Sequence, residues 1–490
     1  MRVVYKPIKI ESGSPVVFLP IEAEKKLGVR EGERVLIRNK NLSARMPVNY
    51  VEKLLKRGEL SLSQSAADFF KPKPGELFFV KQTSVPESSE LILKKLDGKK
   101  LSKKEIYKII EEITDNSLTE AEVAYFISAV YMHGMSFDEV ANLTRAMADV
   151  GEKIQWKDKV VCDKHSIGGV AGNRTTPIVV SICAAAGLKI PKTSSRAITS
   201  AAGTADVVET IANVSLSVEQ MKRVVEKTNA CLAWGGSLSL SPADDKIIKI
   251  ERLLNLDPEP QLLASILSKK LAAGSNHVVI DIPYGRGAKV SFHEAKELKK
   301  KFEKLCKMLK IKVRVVLTNG SAPIGNGVGP MLEMRDVMKV LRREQPPKDL
   351  EEKAVMLAGE LLELAGKAKK GQGKKLAHDI LNSKKALQKF EEIVAEQGKQ
   401  KRRYILGRFK HVVRAKSPGR VAHIDNKAIN HLARVLGSPF DKGAGVCLHK
   451  KVNSKVKKRD AIITLYSNSH VRLAQALELV KNKKAGIEIR

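Results

Sequence analysis

Residues 163–209 read DKHSIGGVAGNRTTPIVVSICAAAGLKIPKTSSRAITSAAGTADVVE, and this stretch decides the fold. Two polar loops, rich in glycine and hydroxyl residues, flank a helical run from Pro177 to Ala186 that leads into a strand-like segment, Leu188 to Lys192. The order strand, loop, helix, strand, loop is typical of α/β folds built on a parallel sheet. We therefore expect both loops at the carboxyl edge of that sheet, where such folds bind ligands.

Both loops have the composition of an anion site. The first, Lys164 to Thr176, opens a helix, whose backbone N–H groups and dipole favour negative charge. Its glycines allow left-handed backbone angles and close approach of a ligand. The second, Lys192 to Thr204, repeats this recipe. A single loop of this kind could be only a tight turn with capping hydroxyls, but two in succession, each with a lysine, favour anion binding. No GxxxxGK[ST] pattern occurs, which disfavours an NTPase.

The composition disfavours a nucleic-acid-binding, a secreted or a membrane-spanning protein. The 88 Lys and Arg residues exceed the 54 Asp and Glu, which leaves open a nucleic-acid-binding protein. The lysines are spread over helical segments, however, and aromatic residues for base stacking make up only 4% of the chain. The five cysteines form no CxxC pair, which indicates reduced thiols and a cytoplasmic protein. No apolar run suggests a signal peptide or a membrane span.

Periodicity divides the chain into four parts. Three capping boxes, Ser102 with Glu105, Thr119 with Glu122 and Ser136 with Glu139, predict helices after residue 91. The predicted parts are an N-terminal β-rich, barrel-like domain (1–84), a discontinuous helical lobe (86–152 and 242–273), a large α/β lobe that binds phosphate (155–235 and 277–403) and a C-terminal α+β portion (404–490).

The loop motifs carry a family resemblance. DKHSIGGVAG (163–172) followed by SSRAITSAAGTADVVE (194–209) resembles the signature of the thymidine and pyrimidine nucleoside phosphorylases. Within that family, the second motif and the later GAK (287–289) most resemble the archaeal AMP phosphorylases. The resemblance implies a nucleoside phosphorylase fold whose helical lobe receives the base. It also implies phosphorolysis of AMP, and of other nucleoside 5′-monophosphates, to free base and ribose 1,5-bisphosphate.

The same resemblance implies which residues bind the substrates. The residues implied to bind the attacking phosphate are Lys164, Ser166, Lys192, Ser194 and Thr204. The residues implied to bind the nucleotide are Gly169, Ser195, Arg196, Ala197, Ile198, Thr199, Ser200, Thr204, Ser265, Lys269 and Lys289. The resemblance also implies no redox cofactor and a homodimer or larger homo-oligomer. Together with the composition, it leads us to expect no cofactor, no metal and no nucleic-acid or membrane partner.

Two of these assignments compete with plainer ones. Asp257 precedes Pro258 at the start of a helical run, which is typical of an N-cap, whereas the resemblance makes Asp257 the general acid. Ser265 and Lys269, four residues apart on one helical face, could be an ordinary surface pair but match a base-binding motif.

Departures from the nucleoside enzymes indicate the substrate. Where thymidine phosphorylases have an arginine that reads the pyrimidine, this chain has Ile250. Where they read GSGAF, this chain reads GRGAK, so Lys289 adds the cation that a 5′-phosphate would need. Lys289 could alternatively be one more lysine of a lysine-rich surface. For the whole chain, the alternative function is that of a pyrimidine-nucleoside or thymidine phosphorylase.

Overall fold

The computed structural model describes residues 1–13, 15–83, 85–197, 200–402, 404–482 and 486–490. The chain divides into two compact units. The first comprises Met1–Gly151 with Ser241–Ser265, and the second comprises Glu152–Leu240 with Ile266–Arg490.

The N-terminal residues form a closed six-stranded barrel. Its elements are β1 (Arg2–Tyr5), β2 (Val17–Pro20), α1 (Glu22–Leu27), β3 (Arg34–Arg38), β4 (Ser43–Val51), β5 (Glu59–Leu62), α2 (Gln64–Phe70) and β6 (Leu77–Gln82). The strands follow the order β1-β5-β2-β4-β3-β6. Alternate residues of β4, Ala44, Met46 and Val48, point into the barrel core, as the period of two requires. The predicted barrel-like domain is confirmed.

Four helices follow the barrel. They are α3 (Ser88–Leu96), α4 (Lys103–Thr114), α5 (Glu120–His133) and α6 (Phe137–Asp149). Each of the three predicted capping boxes is present, with both reciprocal hydrogen bonds. The isoleucines of α4 lie on one face and are buried, which is the packing that stabilises an amphipathic helix.

The two-loop stretch folds as alternating strands and helices. Its elements are β7 (Cys162–Ser166), α7 (Thr175–Ala185), β8 (Ile190–Ser194), α8 (Thr204–Val208), α9 (Val218–Thr228) and β9 (Ala230–Trp234). One expectation was wrong: Lys164 lies inside β7 rather than in the first loop, and β8 continues two residues beyond Lys192, to Ser194. The strands continue through these polar residues because their backbones pair with parallel neighbours, Lys164 with Val279 and Lys192 with Leu232.

Two helices come next, α10 (Pro242–Leu254) and α11 (Glu259–Ala272). The boundary between the two units falls within α11, after Ser265. Both helices lie within 242–273, the range for which the sequence predicts helical periodicity.

The chain then completes the α/β core. Its elements are β10 (His277–Tyr284), α12 (Phe292–Met308), β11 (Lys312–Asn319), β12 (Gly327–Val328), α13 (Pro330–Arg342), α14 (Lys348–Leu364), α15 (Gly373–Asn382) and α16 (Lys385–Gln397). Strand β10 lies between β7 and β11 in a parallel sheet, while β8 and β9 form a second parallel pair. A bridge between Val161 and Lys189 joins the two, so the carboxyl ends of β7 and β8 face the same way.

The last part mixes antiparallel strands with two helices. Its elements are β13 (Phe409–Arg414), β14 (Gly419–Ile424), α17 (Asn426–Leu436), β15 (Gly445–Leu448), β16 (Lys455–Val456), β17 (Ala461–Ser467), α18 (His470–Lys481) and β18 (Ile487–Ile489). One sheet has the order β12-β15-β17-β13 and the other β16-β14-β18. The predicted fold class, α/β with a helical lobe, a barrel and a C-terminal α+β portion, is confirmed.

All five cysteines are free and buried. Across the described part of the chain, no helix has both the length and the apolar character needed to cross a membrane.

Candidate active site

Asp163, on β7, holds together two lysines from neighbouring elements. Its Oδ2 lies 2.6 Å from Nζ of Lys270, and its Oδ1 lies 3.4 Å from Nζ of Lys192. All three side chains are almost completely excluded from solvent. Burial alone would raise the pKa of Asp163, but Lys192 and Lys270 outweigh burial and lower it. A charged carboxylate thus fixes Lys192 at the end of β8.

Lys164 is the next residue on β7 and is also buried. Its Nζ donates to Oγ1 of Thr175, the first residue of α7, at 2.8 Å. Burial lowers the pKa of Lys164 to about 7, against the opposing influence of Asp281. Near pH 7 the neutral and charged forms of this amine are therefore similarly populated, and an anion bound beside it would favour the charged form.

Asp281 organises the other side of this strand end. Its Oδ2 accepts from Oγ of Ser166 at 2.9 Å and pairs with Nζ of Lys353 at 2.9 Å, while its Oδ1 accepts from Thr318 at 2.6 Å. The carboxylate is fully buried. These contacts fix the hydroxyl of Ser166, which follows from the pairing of Ser166 with Asp281 in the parallel register.

Arg174 joins the first loop to the second. Its guanidinium donates to Oγ1 of Thr204 at 2.6 Å and to the carbonyl of Ala202 at 2.8 Å. Its Nε donates to buried Glu333 at 2.7 Å. The structure therefore brings the two loops together, with Thr204 at their junction.

Acidic residues of the following helical segment shape the second loop. Asp206 accepts from the backbone N–H groups of Ala197, at 2.7 Å, and Gly203, at 2.9 Å. The Arg196 guanidinium binds Glu209 through both terminal nitrogens and lies 4.7 Å from the Trp234 ring centroid. Hydrogen bonding from Arg196 lowers the pKa of Glu209 to about 2. The Arg196 side chain thus braces the loop.

The remaining predicted residues of this loop have different environments. Ser195 is exposed, and Ser194 and Ser200 are half-buried. Oγ of Ser200 donates to the carbonyl of Ala202 at 2.9 Å. Ile198 and Thr199 lie outside the described residues.

Gly169 and Lys289 meet across the first loop. A Cβ on Gly169 would lie 2.8 Å from the backbone nitrogen of Lys289, and the φ of Gly169 is +87°. Only glycine suits both the backbone angle and the close approach. The Lys289 side chain is exposed. Two residues that the sequence placed at the nucleotide are therefore neighbours.

Asp257 lies two residues before helix α11. The helix begins at Glu259, and the Pro258 carbonyl accepts from the N–H of Leu262 at 2.9 Å. Asp257 is exposed just before it.

Ser265 and Lys269 are half-buried on α11, four residues apart and on one face. Lys269 acts electrostatically on the first loop. Burial, followed by the charges of Lys270, Lys192, Lys164 and Lys269, lowers the pKa of His165 well below its usual value. The imidazole is consequently neutral near pH 7, and cations gather around the end of β7.

Several residues that build this site had no role predicted from the sequence. They are Asp163, Arg174, Lys270, Asp281 and Lys353. A usable signal existed for two of them, since Asp281 interrupts the apolar run HVVIDIPY and Asp163 follows Val160 to Cys162. A carboxylate in a buried strand needs a charged or hydrogen-bonding partner. One partner of Asp163, Lys270, lies 107 residues away, so local pattern could not identify it.

Among the described residues, no group of three or more His, Cys, Asp or Glu side chains could hold a metal ion. The donors gathered at the ends of β7 and β8 are lysines, an arginine and hydroxyls. They suit an anion.

Known families share this architecture. The helical bundle domain of the glycosyl transferase family matches residues 89–151, and the a/b domain of that family matches 158–387. The pyrimidine nucleoside phosphorylase C-terminal domain matches 420–487. An anthranilate phosphoribosyltransferase from Thermus thermophilus shares the fold with a TM-score of 0.53 and 19% identity, covering 62% of this chain and 98% of that one. Fold and site thus define a glycosyltransferase.

Curated relatives narrow the class. An AMP phosphorylase of Pyrococcus furiosus is 43% identical over 98% of this chain and 96% of its own length. One from Methanocaldococcus jannaschii is 46% identical over 87% of this chain and 86% of its own. The chain belongs to the AMP phosphorylase family, and the resemblance seen in its loop motifs is confirmed.

Proposed function

We propose that this enzyme is an AMP phosphorylase. It transfers the ribose 5-phosphate of AMP to inorganic phosphate, giving adenine and ribose 1,5-bisphosphate. The bond between the ribose C1′ and the base breaks, a bond from C1′ to a phosphate oxygen forms, and the base takes up a proton. The observation that carries the proposal is the cluster of buried cations at the ends of β7 and β8, in a chain related over nearly its whole length to AMP phosphorylases.

The cluster suits a phosphate because positive charge remains in excess. Lys192 and Lys270 face Asp163, and Lys353 and Lys164 interact with Asp281. Four lysines thus oppose two carboxylates, in a buried region where charges are poorly screened. An incoming phosphate would compensate the excess.

In this proposal Lys164, Ser166, Lys192, Ser194 and Thr204 hold the attacking phosphate. Lys192 and Ser166 are held by Asp163 and Asp281, so binding requires little rearrangement of either side chain. Such preorganised groups lower the barrier by fixing the nucleophile and stabilising charge in the transition state.

The nucleotide is assigned to the other predicted residues. Gly169, the Ser195–Ser200 segment and Thr204 enclose it, Lys289 binds its 5′-phosphate, and Ser265 and Lys269 bind the base. Asp257 gives the departing base its proton.

We also propose that the enzyme acts in the cytoplasm, in nucleotide catabolism, as a homodimer or larger homo-oligomer. Five free, buried cysteines suit a reducing compartment. Light scattering on the purified protein measures the oligomer directly.

A phosphate-dependent substrate panel tests the function. AMP, CMP, UMP, adenosine, thymidine and uridine are each incubated with and without phosphate, and free base and sugar phosphate are quantified. AMP is expected to release adenine only with phosphate and far faster than adenosine does. Equal or faster turnover of thymidine or uridine would instead make the chain a pyrimidine-nucleoside phosphorylase. Salt-sensitive nucleic-acid binding without any base release would reject an enzyme.

A further inference from the structure

Two asparagines on α17 contact the two loops. Oδ1 of Asn426 accepts the backbone N–H of Ala171 in the first loop at 3.0 Å. Oδ1 of Asn430 accepts the backbone N–H of Ala201 in the second loop, also at 3.0 Å. The asparagines are four residues apart, so they share one helical face, and both are buried. One helix of the C-terminal portion therefore holds both loops.

Asn426 reaches a third segment. Its Nδ2 donates to the carbonyl of Gly320, just after β11, at 2.8 Å. A Cβ on Gly320 would lie 3.2 Å from Cβ of Ala288, the residue before Lys289. Asn426 thus ties the first loop to the backbone against which the Lys289 turn packs.

The helix itself is fixed by other contacts. Asp425 caps it by accepting the N–H of Ala428 at 2.7 Å. Its apolar residues Ile429, Leu432 and Leu436 are buried in the C-terminal core. The asparagines accordingly project from a rigid support, and the loops take their position from it.

The amide chemistry suits a site that receives anions. A buried backbone N–H needs an acceptor, since leaving it unpaired is costly. A carboxylate would provide that acceptor but would also place a negative charge beside incoming phosphates. An asparagine satisfies the N–H and remains neutral.

We propose that Asn426 and Asn430 are positioning residues, which set the geometry of both loops for substrate binding without touching substrate. The inference rests on the proposed function for its kinetic consequences, but its structural part can be measured without turnover.

The kinetic test uses Asn430→Ala, because Ala201 directly follows the segment assigned to the nucleotide. We expect the KM for AMP to rise about tenfold, as losing roughly one buried hydrogen bond would predict, with less than about a threefold change in kcat and in the KM for phosphate. The control His431→Ala alters an exposed neighbour on the same helix and is expected to leave all three constants unchanged. Equal changes in both KM values would show general loosening and overturn the proposal.

The structural test is hydrogen exchange on the full chain without substrate. Asn430→Ala is expected to speed exchange in the peptide that contains Ala201, and Asn426→Ala in the peptide that contains Ala171, while the β10 peptide stays protected. Asn430→Asp retains the acceptor and should retain protection of Ala201. Unchanged exchange at both loop peptides would refute the positioning role. Exchange that rises in every peptide of the alanine variants, with Asn430→Asp no better protected than they are, would show general unfolding. That result would also refute the positioning role. If wild-type AMP turnover fails while these patterns hold, only the proposed function falls.

Discussion

Nζ of Lys270 lies 2.6 Å from Oδ2 of Asp163, and neither side chain reaches solvent. Lys192 approaches the other oxygen of the same carboxylate. One carboxylate facing two buried lysines leaves one positive charge uncompensated, so the arrangement is costly unless an anion joins it. The pair therefore connects the stability of the sheet with the binding of phosphate.

Removing the carboxylate should expose this cost. Asp163→Ala leaves two buried lysines without their counter-ion, and we expect the free energy of unfolding to fall by about 3–5 kcal/mol. Asp158→Ala, which breaks an ion pair with Lys189 in which the aspartate is exposed, should cost only about 0–1 kcal/mol. Urea denaturation of both variants measures the difference. Similar losses in the two would mean that the buried carboxylate has no special role.

Acid should act on the same group. The folded-state pKa of Asp163 is lowered, so its contribution to stability is complete above the unfolded pKa and is lost as pH falls through the folded one. In Asp163→Ala that contribution is absent. The difference in unfolding free energy between parent and variant should hence shrink below about pH 4.

Phosphate binding should move a proton at Lys164. Because burial lowers the pKa of this amine to about 7, it is mostly neutral in the free protein at pH 8.5. A bound phosphate favours the ammonium form, so the complex takes up about one proton. Calorimetric titration in buffers of different ionisation enthalpy measures the uptake, at a pH where phosphate is already dianionic. Lys164→Met should bind phosphate more weakly and take up fewer protons; an unchanged proton count would assign the uptake to another group.

The sequence predicted the architecture because its signals are local. The capping boxes, the alternation in β4 and the glycine-rich loops each depend on residues within a few positions. The ion pairs of Asp163 and Asp281 depend on Lys270 and Lys353, which the fold brings from distant segments. The same distance hid Asn426 and Asn430. Lys164 was misplaced into the first loop because strand pairing, a tertiary effect, overrides its polarity.

Glycine at position 169 should be required for space and not only for its backbone angle. Gly168 and Gly169 both have positive φ, but only at Gly169 would a Cβ meet Lys289. Alanine should cost about 1 kcal/mol of backbone strain at either position. Gly169→Ala should in addition displace the Lys289 turn and raise the KM for AMP more than Gly168→Ala does. Steady-state kinetics on the two variants, with matched thermal melts, decides; indistinguishable KM values would remove the close approach from nucleotide binding.

Lys289 should recognise the 5′-phosphate. Lys289→Ala removes one charge from an exposed loop and is expected to raise the KM for AMP about tenfold, since a charge-assisted contact is worth roughly 1.5–3 kcal/mol. Adenosine, which lacks the phosphate, should be affected little. Lys296→Ala, at another exposed lysine, controls for the loss of general positive charge. A parallel loss with AMP and adenosine would place Lys289 elsewhere in the reaction.

Asp257 should be needed for turnover and not for folding. Asp257 is exposed and asparagine is as favourable as aspartate before a helix, so the melting temperature of Asp257→Asn should stay within a few degrees of the parent. Loss of the proton donor should lower kcat by about 10²- to 10⁴-fold, with a much smaller effect on the KM for phosphate. Glu259→Gln removes a carboxylate two residues away and serves as the control. A substrate with a better leaving group, whose departure needs less protonation, should recover part of the lost rate in Asp257→Asn. If the kcat of Asp257→Asn is low and the better leaving group does not raise it, Asp257 acts in binding or positioning. If the kcat equals that of the parent, Asp257 has no role in the reaction.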